Sequence, residues 1–163
     1  VEKSFPGIHW GCVLGHQIII GVVLSLIIVI KRAAYPHIAI LHKVEDEDYF
    51  KNINHFKGEN NASEIIFRVD APVWFANVEN VKEYIHSTIQ NSNVKPKRII
   101  LDFSSVNHID SSGIHFIEEL KEKLSIDGIK LMISGSIEPV RNIFNRNDLY
   151  EKLGKNNFMP VLK

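Results

Sequence analysis

The stretch Arg98-Ile99-Ile100-Leu101-Asp102-Phe103, followed after a short gap by Asn107-His108-Ile109-Asp110-Ser111-Ser112-Gly113, decides how the chain folds. The first part is a near-continuous apolar run bounded by Lys95-Pro96-Lys97 and Ser104-Ser105, the pattern of a strand buried on both faces. The second part reads as the start of a helix. Asp110 and the two serines can accept hydrogen bonds from free N–H groups of the first turn, and Gly113 lets that turn approach a sheet closely. Gly113, Ile117, Leu120 and Leu124 then fall on one helical face, and Asp127-Gly128 ends the helix where glycine commonly does.

The same alternation extends in both directions. His37-Ile38-Ala39-Ile40-Leu41, Glu64-Ile65-Ile66-Phe67-Arg68-Val69-Asp70 and Lys130-Leu131-Met132-Ile133-Ser134 read as strands. Val78, Val81, Ile85 and Ile89 mark a helix between the first two-thirds of that series and the Arg98 strand. Ile137, Val140, Ile143 and Phe144 mark another, opened by Glu138-Pro139, and Leu149 with Leu153 mark a last turn or short helix. Strands alternating with helices predict an α/β domain with a mixed sheet and helices packed on it. The stretch between Leu41 and Asn61, including the acidic run Glu45-Asp46-Glu47-Asp48, reads as a polar connection. That run lacks the ligand spacing of a calcium loop.

Ahead of this domain, residues 4 to 30 are uncharged and mostly apolar, and they stop at Lys31-Arg32. At ~1.5 Å per helical residue the run exceeds the ~30 Å hydrocarbon core of a bilayer, so it reads as a membrane span. Tyr35-Pro36 ends the helix, which predicts a boundary between a span in residues 1–34 and a folded domain in residues 35–163. A secretory signal peptide fits less well, because the apolar run is too long and its basic residues follow it. Lys31, Arg32 and Lys43 outnumber Lys3, which predicts an integral membrane chain with the folded domain facing the cytoplasm. In that topology the sequon Asn61-Ala62-Ser63 stays unmodified. His9 and His16 are polar groups costly in lipid, and Ser4 to Gly15 reads as the end of a preceding helix or an interfacial loop anchored by Trp10.

Composition narrows the function classes. With 19 basic and 19 acidic residues the chain has no cationic surplus for a polyanion, which argues against nucleic acid as a partner. The single cysteine, Cys12, excludes an intrachain disulfide, and no Cys/His cluster suggests a metal. Ser104, Ser105 and His108 do not have the spacing of a catalytic triad, and no nucleophile elbow or phosphate-cradling glycine loop is present. Asp102 could attract a cation or a nucleotide partner, although strand-end carboxylates commonly pair or cap locally. The chain is therefore expected to be no enzyme and to use no cofactor.

Ile109-Asp110-Ser111-Ser112-Gly113, preceded by Ile99-Ile100-Leu101-Asp102-Phe103, resembles the STAS domain shared by anti-sigma factor antagonists and sulfate permeases. Phe67-Arg68-Val69-Asp70-Ala71-Pro72-Val73-Trp74-Phe75-Ala76-Asn77 looks like the strand-to-helix segment of the permease branch. Gly21 to Leu26, then Arg32 and Pro36 to Leu41, resembles that branch's last membrane helix and its exit into the STAS domain. The resemblance implies the C-terminal end of a SulP-type secondary anion transporter, its STAS domain regulating transport, folding or partner docking. The transport site itself would lie elsewhere, because one span cannot build a midplane substrate site.

By the same resemblance Ser112 is the candidate phosphoacceptor, Asp110, Ser111, Ser112 and Gly113 form a regulatory or partner loop, and Phe75, Ala76 and Asn77 form a candidate interface at the start of the first helix. The partners implied are the transporter's membrane domain, a cytoplasmic regulatory protein, a kinase or a nucleotide, and a second copy through a transporter homodimer. The alternative is a membrane-tethered module like an anti-sigma factor antagonist, switched by phosphorylation of Ser112. A remnant of a split permease gene is a further one.

Overall fold

The computed structural model describes residues 7–43, 50–52, 64–92 and 94–161. Two compact units divide at Ala34 and Tyr35.

The first unit is the helix α1, Gly7–Ala34. No proline or charge interrupts the sequence between its start and Lys31, and Lys31 and Arg32 sit in its last turn, where cations favour the negative end of the helix dipole. Gly15–Ala34 is long and apolar enough to cross a membrane, and Ile18, Ile28 and Val29 are exposed. Residues 7–15 are helical and continuous with that segment, so they form neither a loop nor a separate helix end. Glycine at 11 and 15 lowers helix propensity, yet the uninterrupted hydrogen-bonded ladder carries the helix through them.

The second unit is one six-stranded sheet with helices against one face. Its elements are β1 (Ile38–Lys43), β2 (Phe50–Asn52), β3 (Glu64–Val69), α2 (Val78–Gln90), β4 (Arg98–Asp102), α3 (Ser111–Ile126), β5 (Lys130–Ser134), α4 (Glu138–Arg146), α5 (Leu149–Leu153) and β6 (Phe158–Met159). The strand order is β2-β1-β3-β4-β5-β6. β1 runs antiparallel to β2 and β3, whereas β3 to β6 are mutually parallel, each joined to the next across at least one helix.

Alternation along the strands sorts the side chains. Ile65, Phe67 and Val69 of β3, Ile99 and Leu101 of β4, and Leu131 and Ile133 of β5 join the buried faces of α2, α3, α4 and α5 in one core. Ala39, Leu41, Ile66, Ile100 and Met132 make a smaller cluster on the opposite face. β4 is thus buried on both faces, as its apolar run requires. Each side chain fully buried in this core contributes ~1.5–3 kcal/mol, so the sheet is held chiefly by this one-sided helix packing.

Two strands depart from the sequence reading. β2 lies inside the stretch expected to be a polar connection, where Lys51 and Asn52 give no apolar alternation, and its pairing with His42 and Leu41 supplies what propensity does not. β6 is two residues long and is fixed by parallel pairing of Phe158 with Ile133. The acidic run 45–48, the sequon at Asn61 and the side chains of His9, Trp10 and Cys12 lie outside the described parts.

Candidate functional site

At the carboxyl ends of β3 and β4 the chain turns into α2 and α3, and the two turns are tied together. Val73 pairs with Ile109 as an isolated parallel bridge. The Val73 N–H donates to the His108 carbonyl at 3.0 Å, and the Asp110 N–H donates to the Val73 carbonyl at 3.2 Å. Both Val73 and Ile109 are buried, so an apolar contact lies beneath the backbone pairing.

Asp110 completes the junction with both oxygens. One accepts from the Gly113 N–H at 2.9 Å, capping α3. The other accepts from the Phe75 N–H at 3.0 Å, just before α2. Gly113 is required by proximity: a Cβ there would sit 2.5 Å from Ile109 Cγ1 and 3.0 Å from the Val73 carbonyl oxygen. Asp110 and Gly113 thus face inward and build the loop, while Ser111 is exposed and Ser112 half-exposed.

The residues expected to form an interface at the start of α2 divide in the same way. Phe75 is 69% exposed and stacks edge-on with Trp74, and Ala76 is half-buried. Asn77 is only 1% exposed. Its carboxamide accepts from the Trp74 N–H at 3.1 Å and donates to the Pro72 carbonyl at 2.8 Å, locking the turn. Asn77 therefore shapes the surface without facing a partner, a correction to the expected trio. A buried amide that satisfies two backbone groups of its own turn is worth more inside this turn than outside it.

Between the first turns of α2 and α3 lies a groove of about 400 Å³ lined by Phe75, Val78, Lys82, Ser112, His115 and Phe116, with Glu79 and Glu119 at its sides. Lys82 donates to Glu119 across the two helices at 2.5 Å. That hydrogen bond holds the Lys82 ammonium above its ordinary value and the Glu119 carboxyl below its own. Ser112 lies on the groove wall, which it shares with the exposed ring of Phe75, the Lys82–Glu119 pair and Glu79. The sequence reading missed Lys82, His115 and Glu119. The spacing of Ser112, His115 and Glu119 places them on one stripe of α3, which was the available signal.

Asp102, at the end of β4, accepts from the Ser104 N–H at 3.1 Å, which is the local-capping alternative. Among the described residues no group of three or more His, Cys, Asp or Glu side chains could hold a metal ion.

The domain is thus a mixed sheet with helices on one face, paired helix starts at the ends of two parallel strands and a serine on the groove they share. Residues 55–161 match the STAS domain, and the chain belongs to that family. It is 30% identical over 148 residues to the chloroplastic sulfate transporter 4.1 of Arabidopsis thaliana, covering 85% of this chain and 22% of that one. Its identity to the probable sulfate transporter 4.2 of the same plant is 31%, with the same coverage. The structure superposes on the murine Slc26a9 anion transporter in its inward-facing state with a TM-score of 0.76 and 21% identity, covering 90% of this chain and 24% of that one. The chain thus spans about a fifth to a quarter of the length of these relatives, which are transporters and not enzymes.

Proposed function

We propose that this chain is the terminal span and STAS domain of a secondary active sulfate or related anion transporter, and that the domain regulates transport from outside the permeation pathway. The observation that supports this is the groove on which the exposed ring of Phe75 and the half-exposed Ser112 meet, built on two helix starts that Asp110 holds together. A surface fixed at its base and open at its rim suits a partner that binds differently in two transporter states. The partner is the transporter's membrane domain, in the same polypeptide or in its homodimer mate, or a cytoplasmic regulator. Lys31 and Arg32 at the end of α1 support a cytoplasmic orientation of the domain.

Radiolabelled sulfate uptake in a permease-deficient host tests this. The gene that encodes the chain is compared with a version lacking residues 35–163, each normalised to surface abundance. Uptake should fall on deletion. Unchanged uptake would sink the regulatory role, and uptake at background from the intact gene would sink sulfate as the cargo.

The second reading is a membrane-tethered signalling module switched by phosphorylation of Ser112, and the half-exposed position of that serine in the first turn of α3 favours it. A phosphate there adds ~1.5–2 negative charges where the helix field tolerates them. Phosphopeptide mapping from the native host should find Ser112 modified. Repeated recovery of the unmodified peptide would count against the switch.

A further inference from the structure

A second cavity, of about 380 Å³, opens beyond the carboxyl ends of β5 and β6 and shares no lining residue with the groove at Ser112. Its volume falls in the ~300–1,000 Å³ range of small-molecule pockets. Four separate segments converge on it: the turn after β5 with Ser136, Arg141 of α4, Tyr150 of α5, and β6 with its exit from Phe158 to Val161. The aromatic wall is rooted in the core. Tyr150 and Phe158 have ring centroids 4.2 Å apart, and both lean on the fully buried Phe144, at 6.0 and 5.9 Å. The turn is fixed as well. Gly135 has a φ of +68°, and a Cβ there would sit 2.8 Å from Asp102 Oδ1 and 3.0 Å from the Ser104 nitrogen, so its backbone is seated against the end of β4.

Arg141 supplies the charge. Its Nη1 donates to the Ser136 carbonyl at 2.6 Å, which ties the guanidinium to the turn. Among the described residues Arg141 forms no ion pair, whereas Lys82, Arg98 and Lys152 each meet a carboxylate. Tyr150 is half-buried, and burial pushes its phenol above the ordinary value, so at neutral pH the hydroxyl stays protonated and able to donate.

We propose that this cavity binds a small organic monocarboxylate, its carboxylate on the Arg141 guanidinium and its apolar body against Phe158, Met159 and Val161. With one N–H committed to Ser136, the guanidinium keeps enough donors for the paired bonds that a carboxylate accepts. A single cation without a carboxylate partner matches one negative charge, and a phosphate monoester, with ~1.5–2, would be left partly unmatched. Walls already held by the core and the sheet leave little ordering to be done on binding. The site stands apart from the regulatory reading, since the two clefts have no residue in common.

Titration of the detergent-solubilised full chain with phenylpropionate, and with its neutral counterpart phenylpropionamide, tests the site by ligand-observed NMR, the signal from empty micelles being subtracted. The carboxylate should saturate, and the amide should bind about tenfold more weakly or worse, as loss of a hydrogen bond to a charged group implies. Arg141→Gln should weaken the carboxylate by a similar factor and leave the amide unchanged. Tyr150→Phe should weaken it by roughly twofold to tenfold. Arg146→Gln, in the last turn of the same helix and outside the cavity, should bind like the parent. Arg141 is exposed, so its variant should keep the parent circular dichroism spectrum. Val161→Trp, which adds bulk to the lining at an exposed position, should abolish binding independently. The proposal is overturned by no saturation below about 10 mM, by equal binding of acid and amide, by parent-like binding in Arg141→Gln, or by equal weakening in Arg146→Gln.

Discussion

Asp110 shows how one side chain can belong to two helices, and its substitutions separate that role from ordinary capping. In a simple N-cap, asparagine replaces aspartate with little loss. Here each carboxylate oxygen serves a different amide, Gly113 on one side and Phe75 on the other, and a carboxamide has only one accepting oxygen. Asp110→Ala is expected to cost about 1–3 kcal/mol and Asp110→Asn roughly half of that, both read from urea unfolding midpoints. Equal stability of the asparagine variant and the parent would mean that the Phe75 link carries no energy. Gly113→Ala meets a different obstacle. Alanine has the higher helix propensity by ~1 kcal/mol, but its Cβ would collide with Ile109 and the Val73 carbonyl. Overpacking of this kind costs ~1–3 kcal/mol, so the net change should be destabilising, and a rise in the urea midpoint would contradict it. Asp70 sets a pH signature. Its folded-state carboxyl titrates below its ordinary value, so the stabilisation is complete above the unfolded value of about 3.9 and is lost as pH falls through the lower folded value. Acid unfolding monitored by circular dichroism should therefore steepen below about pH 4 in the parent and be shallower in Asp70→Asn, which should also be the less stable of the two at neutral pH.

At the scale of elements, the sheet and its helices differ in how visibly the sequence announces them. α2 could be placed from Val78, Val81, Ile85 and Ile89 because a 3.6-residue period leaves one apolar stripe, and the first three of these are buried. Truncating that stripe at its centre, Ile85→Ala, should cost about 2–5 kcal/mol, since Ile85 is fully buried and the surrounding sheet can close only part of the gap. A loss under half a kilocalorie in thermal or urea unfolding would show α2 to be loosely docked. β4 was legible for the opposite reason: a strand covered on both faces has no period at all, only a run of apolar residues between breakers. β2 and β6 were not legible, because two or three residues carry no period and exist as strands only through partners more than a few residues away. The site divides along the same line. The helix start at Asp110-Ser111-Ser112-Gly113 is a local signal and could be read, including the cap. The pairing of Lys82 with Glu119 and of His37 with Asp70 joins residues 37 and 33 positions apart, which no local spacing reveals. Asn77 misled because a carboxamide after Phe75-Ala76 suits a docking surface and a locked turn equally, and only burial decides between them.

At the scale of the whole molecule, the two units answer to different solvents. Within the second unit the core clusters begin at Ile38. The exposed apolar surface of α1, from Ile18 to Ile30, is a continuous face of the size that in water marks a membrane or protein contact. Gly15–Ala34 is 20 residues long, which at ~1.5 Å per residue matches the ~30 Å of a hydrocarbon core. These facts predict that residues 35–163 fold without α1. The fragment keeps His37, so the contact with Asp70 that ties down its first strand is retained. Expressed alone it should stay in solution without detergent and unfold in one cooperative urea transition, with a stability in the ordinary range of about 5–15 kcal/mol. The full chain should instead need detergent or bilayer to remain dispersed, and should unfold its sheet at a similar urea midpoint. Two outcomes would refute this division. A fragment lacking a cooperative transition would mean that α1 completes the core, and a full chain that stays monomeric in water would mean that its apolar face is covered by the domain itself. Agreement would license study of the Ser112 groove on the fragment, where partners can be titrated without a membrane.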